Sequence, residues 1–129
     1  MKRQWFAALG GFIAASWVAV LVAFGERVLF DPQFGVVGAL VLSAAVLLVL
    51  AGTTDALGGI EWNQFAGAAD VLLGLALIVQ FLLAATLEDA TSAGLLADAA
   101  AALGCLVLLF IGADWIRGGK HFDLAAYES

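Results

Sequence analysis

The stretch FGVVGALVLSAAVLLVLA, residues 34–51, decides the fold because it is apolar on every side. Its one strongly polar side chain is Ser43. A helix that is apolar all round lies either in the core of a large protein or in a membrane. Since about 20 apolar residues cross the roughly 30 Å hydrocarbon core of a bilayer, this stretch predicts a membrane span.

Three further stretches have the same character, over residues 5–24, 65–87 and 93–116. Their strongly polar side chains are few: Ser16; Asp70, Gln80 and Thr86; Asp98 and Asp114. Four such stretches leave almost no polar chain to cover them in water. We therefore predict an all-α fold, an integral membrane four-helix bundle of up-down topology, with residues 1–129 as a single transmembrane domain.

The composition agrees with a membrane environment. Hydrophobic residues make up 64% of the chain and its mean hydropathy is +1.08, whereas soluble domains are about 45–50% apolar. The net charge is −6 and the sequence has no basic stripe, which argues against a nucleic-acid partner. Acidic loops and few lysines suit a salt-loving organism, so we note a halophilic source as a compositional hypothesis.

The first span has an alternative interpretation. Lys2 and Arg3 followed by an apolar run also describe a signal peptide. The run over residues 5–24 is longer than the usual apolar region of a signal peptide, and no clear small-x-small cleavage site follows it. We therefore expect a helix that is retained.

Helix boundaries are marked by residues with capping preferences. Asp31 followed by Pro32 predicts an N-cap and the first helical position of the second span. Asn63 is a candidate cap of the third span, and Thr91 or Ser92 of the fourth. The pair Gly118-Gly119 predicts the end of the fourth helix.

The positive charges predict the orientation. With four spans both chain ends lie on one side, and four of the five cations flank those ends: Lys2, Arg3, Arg117 and Lys120. The fifth is Arg27. The positive-inside rule therefore predicts a protein of the cell membrane with both termini in the cytoplasm. In this orientation Trp5, Trp62 and Trp115 all fall near the inner interface, where an aromatic belt is expected.

Three polar side chains fall at similar depths within the spans. Ser16, Ser43 and Gln80 lie eight, nine and seven residues from the predicted outer ends of their helices. An unpaired amide facing lipid costs several kcal/mol, roughly. We therefore predict a polar packing layer in which Gln80 bonds to Ser43 or Ser16; the alternative is a polar step in a transport path.

Asp70 and Asp114 lie near the inner ends of spans three and four, which a very short loop makes antiparallel neighbours. Two interpretations stay open. The acids form an interfacial ion pair with Arg117 or contact headgroup water, or they are pathway residues, because an ionisable side chain within a span is a functional candidate.

The remaining polar groups give no sign of catalysis. His121 and Asp123 are too few for a metal site, which needs three or four ligands. Cys105 is interpreted as packing, and Phe122, Leu124 and Tyr127 are expected on the membrane surface or on a partner. We therefore predict no catalytic, cofactor-binding or metal site, and no cofactor.

Small residues predict close helix packing, at Gly10/Ala14, Gly11/Ala15, Gly67 with Gly74, and Ala97, Ala101 and Gly104. From these features we predict a non-enzymatic accessory or scaffold subunit of a membrane assembly. Its expected partners are membrane lipids and either further copies of the chain or other membrane subunits. The alternative is a small oligomeric transporter or channel that uses the intramembrane Asp and Gln residues.

Overall fold

The computed structural model describes residues 2–87 and 92–127, and these are almost entirely helical. The helices are α1 Gln4–Phe24, α2 Arg27–Phe30, α3 Pro32–Thr53, α4 Trp62–Leu87 and α5 Ser92–Ile116, and a 3₁₀ turn covers Leu124–Ala126. Between α3 and α4, strands β1 Ala56–Leu57 and β2 Ile60–Glu61 form a small antiparallel hairpin. The four predicted long helices are confirmed; the short α2 and the hairpin were not predicted.

Each long helix is long and apolar enough to cross a membrane. The qualifying segments are Gln4–Phe24, Pro32–Thr53, Trp62–Leu83 and Leu96–Ile116. At about 1.5 Å per residue each of them exceeds 30 Å in length. Large apolar side chains point outward along them, with Phe12 71%, Val22 82% and Leu96 74% exposed.

The long helices pack mainly on their neighbours in chain order, α1 on α3, α3 on α4 and α4 on α5, and consecutive helices run antiparallel. We call the end where α1 and α4 begin the terminal end, because both chain ends lie there, and the opposite end the loop end. Within the described ranges α1 and α5 form no extensive contact of their own. The bundle is therefore a curved row of helices rather than a closed square.

Glycines allow the helices to approach closely. A Cβ atom added at Gly10 would lie 2.5 Å from the Ala45 carbonyl oxygen, and one at Gly74 would lie 3.1 Å from the Leu109 side chain. The predicted close-packing roles of Gly10 and Gly74 are therefore confirmed. Gly11 and Gly104 instead face open space.

The tightest contact joins α4 to α5. A Cβ atom added at Gly67 would lie 2.5 Å from the Gly112 carbonyl oxygen, and one at Gly112 would lie 2.5 Å from the Gly67 carbonyl oxygen. Each glycine faces the backbone of the other helix. A side chain added at either position could therefore not be accommodated by a change of rotamer in the opposite helix. We call this contact the glycine crossing.

The predicted helix boundaries hold in part. The Asp31 carboxylate accepts hydrogen bonds from the backbone N–H of Gln33 (2.9 Å) and Phe34 (3.3 Å), with Pro32 at the first helical position, so this cap is confirmed. The predicted Asn63 cap is wrong, because α4 already begins at Trp62 and Asn63 is buried inside it. The prediction for Thr91 or the Ser92 side chain lies outside what the structure describes.

The hairpin depends on two glycines. Gly58 and Gly59 have φ angles of 60° and 82°, which is the geometry of a type I′ turn. Leu57 pairs with Ile60 across this turn, and both side chains are exposed. The hairpin reverses the chain between α3 and α4 at the terminal end.

The core lies toward the terminal end. Its large members are Leu48 and four aromatic residues, and alanines of α3 and α4 let these two helices pack closely. The set is Phe6, Ala44, Leu48, Ala51, Trp62, Phe65, Ala66, Ala69 and Trp115. The loop-end half of the bundle contributes few buried side chains to this cluster. The interior is thus dense at one end and open at the other.

Candidate functional site

The Asp114 carboxylate organises the chain that follows α5. It is only 5% exposed and accepts hydrogen bonds from the backbone N–H groups of Lys120 (3.1 Å), His121 (3.0 Å) and Phe122 (3.1 Å). The His121 Nδ1 atom lies 2.8 Å from an oxygen of the same carboxylate. Asp114 is therefore a clamp for residues 120–122, which we call the Asp114 clamp.

The end of α5 explains how the tail reaches this carboxylate. The Gly119 N–H donates to the Asp114 carbonyl oxygen (2.9 Å) and the Gly118 N–H to that of Trp115 (3.1 Å), which is a Schellman motif. The φ angles of Gly118 and Gly119 are 99° and 69°, so this position favours glycine. The predicted helix end is confirmed, and the motif turns the chain back over the helix terminus.

The clamp replaces the predicted pairing with Arg117. In the described part of the chain Arg3 forms an ion pair with Asp55 and the His121 ring contacts Asp114, whereas Arg117 is exposed. His121 is thus part of the clamp rather than a free tail residue. Asp123 caps the 3₁₀ turn through the Ala125 N–H (2.9 Å), so its role here is also local.

The tail ends on an aromatic cluster at the terminal end. The Tyr127 ring lies 5.3 Å from Trp115 and 5.6 Å from Phe6, measured between centroids, and Phe6 contacts Trp115 edge-on at 5.6 Å. Trp62 completes the group, 6.1 Å from Phe6. We call these four residues the terminal aromatic cluster; it joins α1 to α5, which otherwise have little contact.

This cluster corrects the expected aromatic belt. Trp62 and Trp115 are 7% and 6% exposed, so they pack inside the protein, and Trp5 is the exposed member at 63%. Leu124 and Tyr127 pack against the core rather than standing free for a partner. The Trp115 Nε1 atom is buried and has no hydrogen-bond partner among residues 2–87 and 92–127.

Arg3 fastens the start of α1 to the chain between α3 and α4. Its guanidinium forms an ion pair with Asp55, donates to the Thr54 carbonyl oxygen (3.3 Å) and lies 5.5 Å from the centroid of the Trp62 ring. The positive charge of Arg3, which contributes to the orientation predicted by the positive-inside rule, therefore also has a structural partner in Asp55. The sequence contains no signal for this pair, because its members are 52 residues apart.

Asn63 links α4 to α5 near the same end. Its Nδ2 atom donates to the Trp115 carbonyl oxygen at 2.7 Å, in a buried position. A buried hydrogen bond whose donor is removed leaves an unsatisfied group. The residue expected to cap a helix therefore joins two helices.

We predict that Asn63→Asp destabilises the protein by about 2–3 kcal/mol, because a carboxylate oxygen would face the Trp115 carbonyl oxygen without a proton to share. The measurement is unfolding by SDS titration of the detergent-solubilised chain. Gln64→Glu is the matched control, since the Gln64 side-chain oxygen accepts from the Glu61 N–H (3.0 Å) and a carboxylate preserves that role. Equal stability of the two variants would contradict the role of Asn63.

Asp70 stands apart from the clamp. It lies three residues beyond Gly67 on α4 and is half-buried. None of the described residues forms a hydrogen bond or an ion pair with its carboxylate. The predicted grouping of Asp70 with Asp114 and Arg117 through ion pairs is therefore not formed.

The predicted polar layer does not form either. The Ser16 hydroxyl donates to the Phe12 carbonyl oxygen (2.8 Å) and the Ser43 hydroxyl to that of Ala39 (2.7 Å), each within its own helix, and both serines are exposed. Gln80 is exposed and bonds to neither serine. Serine satisfies itself locally in this way because its hydroxyl reaches the carbonyl one turn back.

Gln80 instead borders a half-open cavity of about 310 Å³ in the loop-end half. We call this cavity the Gln80 groove. Its other lining side chains are apolar and come from α3, α4 and α5: Val37, Val41, Leu73, Ala76, Leu77 and Leu108.

Over residues 2–87 and 92–127, no three His, Cys, Asp or Glu side chains come together as a metal site would require. Cys105 is 2% exposed and packs in the α4–α5 contact. Asp114 with its bound tail is thus the most highly connected polar site that the structure describes.

Comparison with known proteins gives a family without an assigned activity. The model of DUF7994, a family of unknown function, matches residues 1–128. No curated protein and no solved structure shows significant similarity to the chain.

Proposed function

We propose that this chain, which belongs to the DUF7994 family, is a small multi-pass integral membrane protein. We further propose that it is a non-catalytic accessory or scaffold subunit of a membrane assembly. The observation that carries the membrane placement is the outward-facing apolar surface of four helices of spanning length. In water, so large an exposed apolar surface would cause the protein to aggregate. In a bilayer the same surface contacts lipid hydrocarbon.

The proposed orientation places the terminal end in the cytoplasm of the cell. Lys2, Arg3, Arg117 and Lys120 belong to that end, and Arg27 belongs to the other. Arg3 is also engaged with Asp55. The remaining cations still give the terminal end the larger positive charge, as the positive-inside rule requires of a cytoplasmic face.

The scaffold role is supported by what the polar groups do. The Asp114 clamp uses its carboxylate to hold backbone N–H groups, Asn63 joins two helices, and Arg3 ties α1 to the hairpin. A pathway residue must remain free to exchange its ligand, whereas these groups are occupied by the protein itself. Such occupied polar groups favour a structural role.

The alternative, a small oligomeric transporter or channel, is supported by Asp70. Its carboxylate is half-buried on α4 without a partner among the described residues, and an ionisable side chain within a span is a functional candidate. A single row of four helices is too small to enclose a pore, so this alternative requires several copies. Flux through reconstituted vesicles that Asp70→Asn abolishes would favour it.

The experiment that tests the proposal is the mass of the complex extracted in a gentle detergent, with each co-purifying chain identified. A stoichiometric foreign membrane protein is the expected result for an accessory subunit. A pure homo-oligomer that carries Asp70-dependent flux would overturn the scaffold role in favour of transport.

Orientation is tested separately with introduced cysteines. We expect Ala125→Cys, in the exposed tail, to react with an impermeant thiol reagent only from the cytoplasmic side, and Glu26→Cys, in the exposed loop before α2, only from outside. Native Cys105 is buried, so the unmodified chain is the background control. The opposite labelling pattern would contradict the proposed orientation.

A further inference from the structure

The Gln80 groove has a size and shape that restrict its occupant. Its volume of about 310 Å³ is at the lower end of small-molecule pockets, roughly 300–1,000 Å³. A single turn of helix, about 10 Å across and 5.4 Å long, would exceed this volume. A helix from a second copy could therefore insert only side chains into the groove, whereas a narrow hydrocarbon chain could lie within it.

The groove is open because of how the helices are arranged. α3 and α5 lie on either side of α4 without an extensive contact of their own in the described ranges. The small side chain of Ala76, on α4, forms part of the lining between Val41 of α3 and Leu108 of α5. Apart from Gln80, the described side chains that line this space are apolar, so in a bilayer it favours a largely apolar occupant.

Among the described residues that line the groove, Gln80 has the one polar side chain. Its amide has no hydrogen-bond partner among the described residues. In a hydrocarbon environment an unpaired amide costs several kcal/mol, roughly. By contrast, the Ser43 hydroxyl donates to a carbonyl oxygen within α3, so Gln80 is the polar side chain here for which the described residues supply no partner.

The depth of Gln80 indicates which part of a lipid it meets. It lies 18 residues beyond Trp62, or about 27 Å of helix, close to the far boundary of a hydrocarbon core of about 30 Å. Leu73, also in the lining, is about 10 Å deeper along the same helix. The polar group of the groove is therefore near the membrane boundary, and the apolar part extends inward.

We propose that the Gln80 groove binds a membrane glycerolipid of the leaflet at the loop end. One hydrocarbon chain fills the space lined by α3, α4 and α5, and an oxygen attached to the glycerol accepts a hydrogen bond from the Gln80 amide. A glycerolipid matches the groove because its oxygen atoms lie at the membrane boundary, as Gln80 does, and its hydrocarbon chains lie deeper, as the apolar lining does. This inference rests on the proposed insertion into a membrane.

The test compares lipid binding by the full-length chain and four variants. Each is reconstituted in phosphatidylcholine vesicles, extracted in a mild detergent and titrated with the same lipid, and native mass spectrometry counts the bound molecules. Leu77→Trp fills the groove; Gln80→Leu removes the hydrogen bond. Leu75→Trp, on an exposed site of α4 outside the lining, and Ser43→Ala are the matched controls.

We expect one tightly held lipid per wild-type chain. Leu77→Trp should weaken its binding by about tenfold or more. Gln80→Leu should weaken it by about threefold to thirtyfold, the range of one hydrogen bond between polar side chains in lipid. Both controls should bind as the wild type does.

Three outcomes would overturn the inference alone. Wild-type chains could remain in the membrane but hold no lipid, or the groove variants could bind as tightly as their controls. A disulfide could also form between two Gln80→Cys chains, which would indicate that a second copy covers the groove. Washing the vesicles with alkaline carbonate separates these from the underlying proposal. Release of the wild-type chain would overturn membrane insertion, and the lipid site with it.

Discussion

Gly112→Val is expected to separate α4 from α5 and to lower the free energy of unfolding in detergent by about 3 kcal/mol, the upper end of the usual cost of overpacking. A Cβ atom at this position would lie 2.5 Å from the Gly67 carbonyl oxygen and 3.0 Å from the Val71 backbone nitrogen. Both neighbours are backbone atoms of a helix, so the strain is relieved only by moving the helix. SDS titration measures the loss.

Gly104→Val is the matched control for the glycine crossing. It places the same side chain on the same helix, where no atom of another described element lies within 4 Å of the added Cβ, and it faces lipid in the proposed membrane. We expect its stability to remain within about 0.5 kcal/mol of the wild type. Adding Gly67→Val to Gly112→Val should cost less than Gly67→Val alone, because the crossing is already open. Similar losses for the Gly104 and Gly112 variants would refute the crossing.

Asp114→Ala is expected to release the tail while leaving the long helices folded. Three backbone N–H groups and the His121 ring lose their common acceptor, and buried donors without a partner are costly. Trypsin cleaves after Arg117 and Lys120 and requires an extended chain there. We expect the initial cleavage rate to rise by about ten- to hundredfold.

Asp123→Ala is the control for the Asp114 clamp. Its carboxylate is exposed and caps only the 3₁₀ turn through the Ala125 N–H, so cleavage should rise by no more than about threefold. Release of the tail also removes Tyr127 from Trp115, so tryptophan fluorescence should change in the Asp114 variant and hardly in the Asp123 variant. Equal cleavage of the wild type and Asp114→Ala would show that the carboxylate does not hold the tail.

The long helices were predictable because they depend on properties of continuous stretches. The apolar run over residues 34–51 and the Asp31-Pro32 start require no knowledge of distant residues, and α3 begins at Pro32 as expected. Gly118-Gly119 likewise marks the end of α5 through its own backbone preference. Small residues at Gly67 and Gly74 indicated close packing.

The candidate site was harder to predict because its contacts join distant positions. The Asn63 amide meets a carbonyl group 52 residues away, and nothing in its local sequence distinguishes that role from a helix cap. The partner of Asp114 depends on where the Schellman motif directs the tail. Arg117 lies three residues from Asp114, and this spacing favours an ion pair on a helix. The backbone N–H groups of the turn instead donate to the Asp114 carboxylate.

The prediction of a polar layer is wrong for a different reason. Ser16, Ser43 and Gln80 have similar depths along their helices, but similar depth does not place side chains on facing sides of those helices. Ser16 and Ser43 are both exposed and bond within their own helices, while Gln80 lines a groove between other residues. The direction of each side chain around its helix axis depends on packing, which periodicity could not supply because the helices are apolar all round.

The chain-ordered packing of the helices has a consequence for how the protein is made. Each long helix after the first packs on the long helix synthesised just before it, so the main helix contacts join segments that follow one another in sequence. Folds dominated by such local contacts form quickly, because little loop-closure entropy is lost before they are made. We therefore expect assembly to follow synthesis, one antiparallel pair after another, with the tail joining last to connect the newest helix to the first.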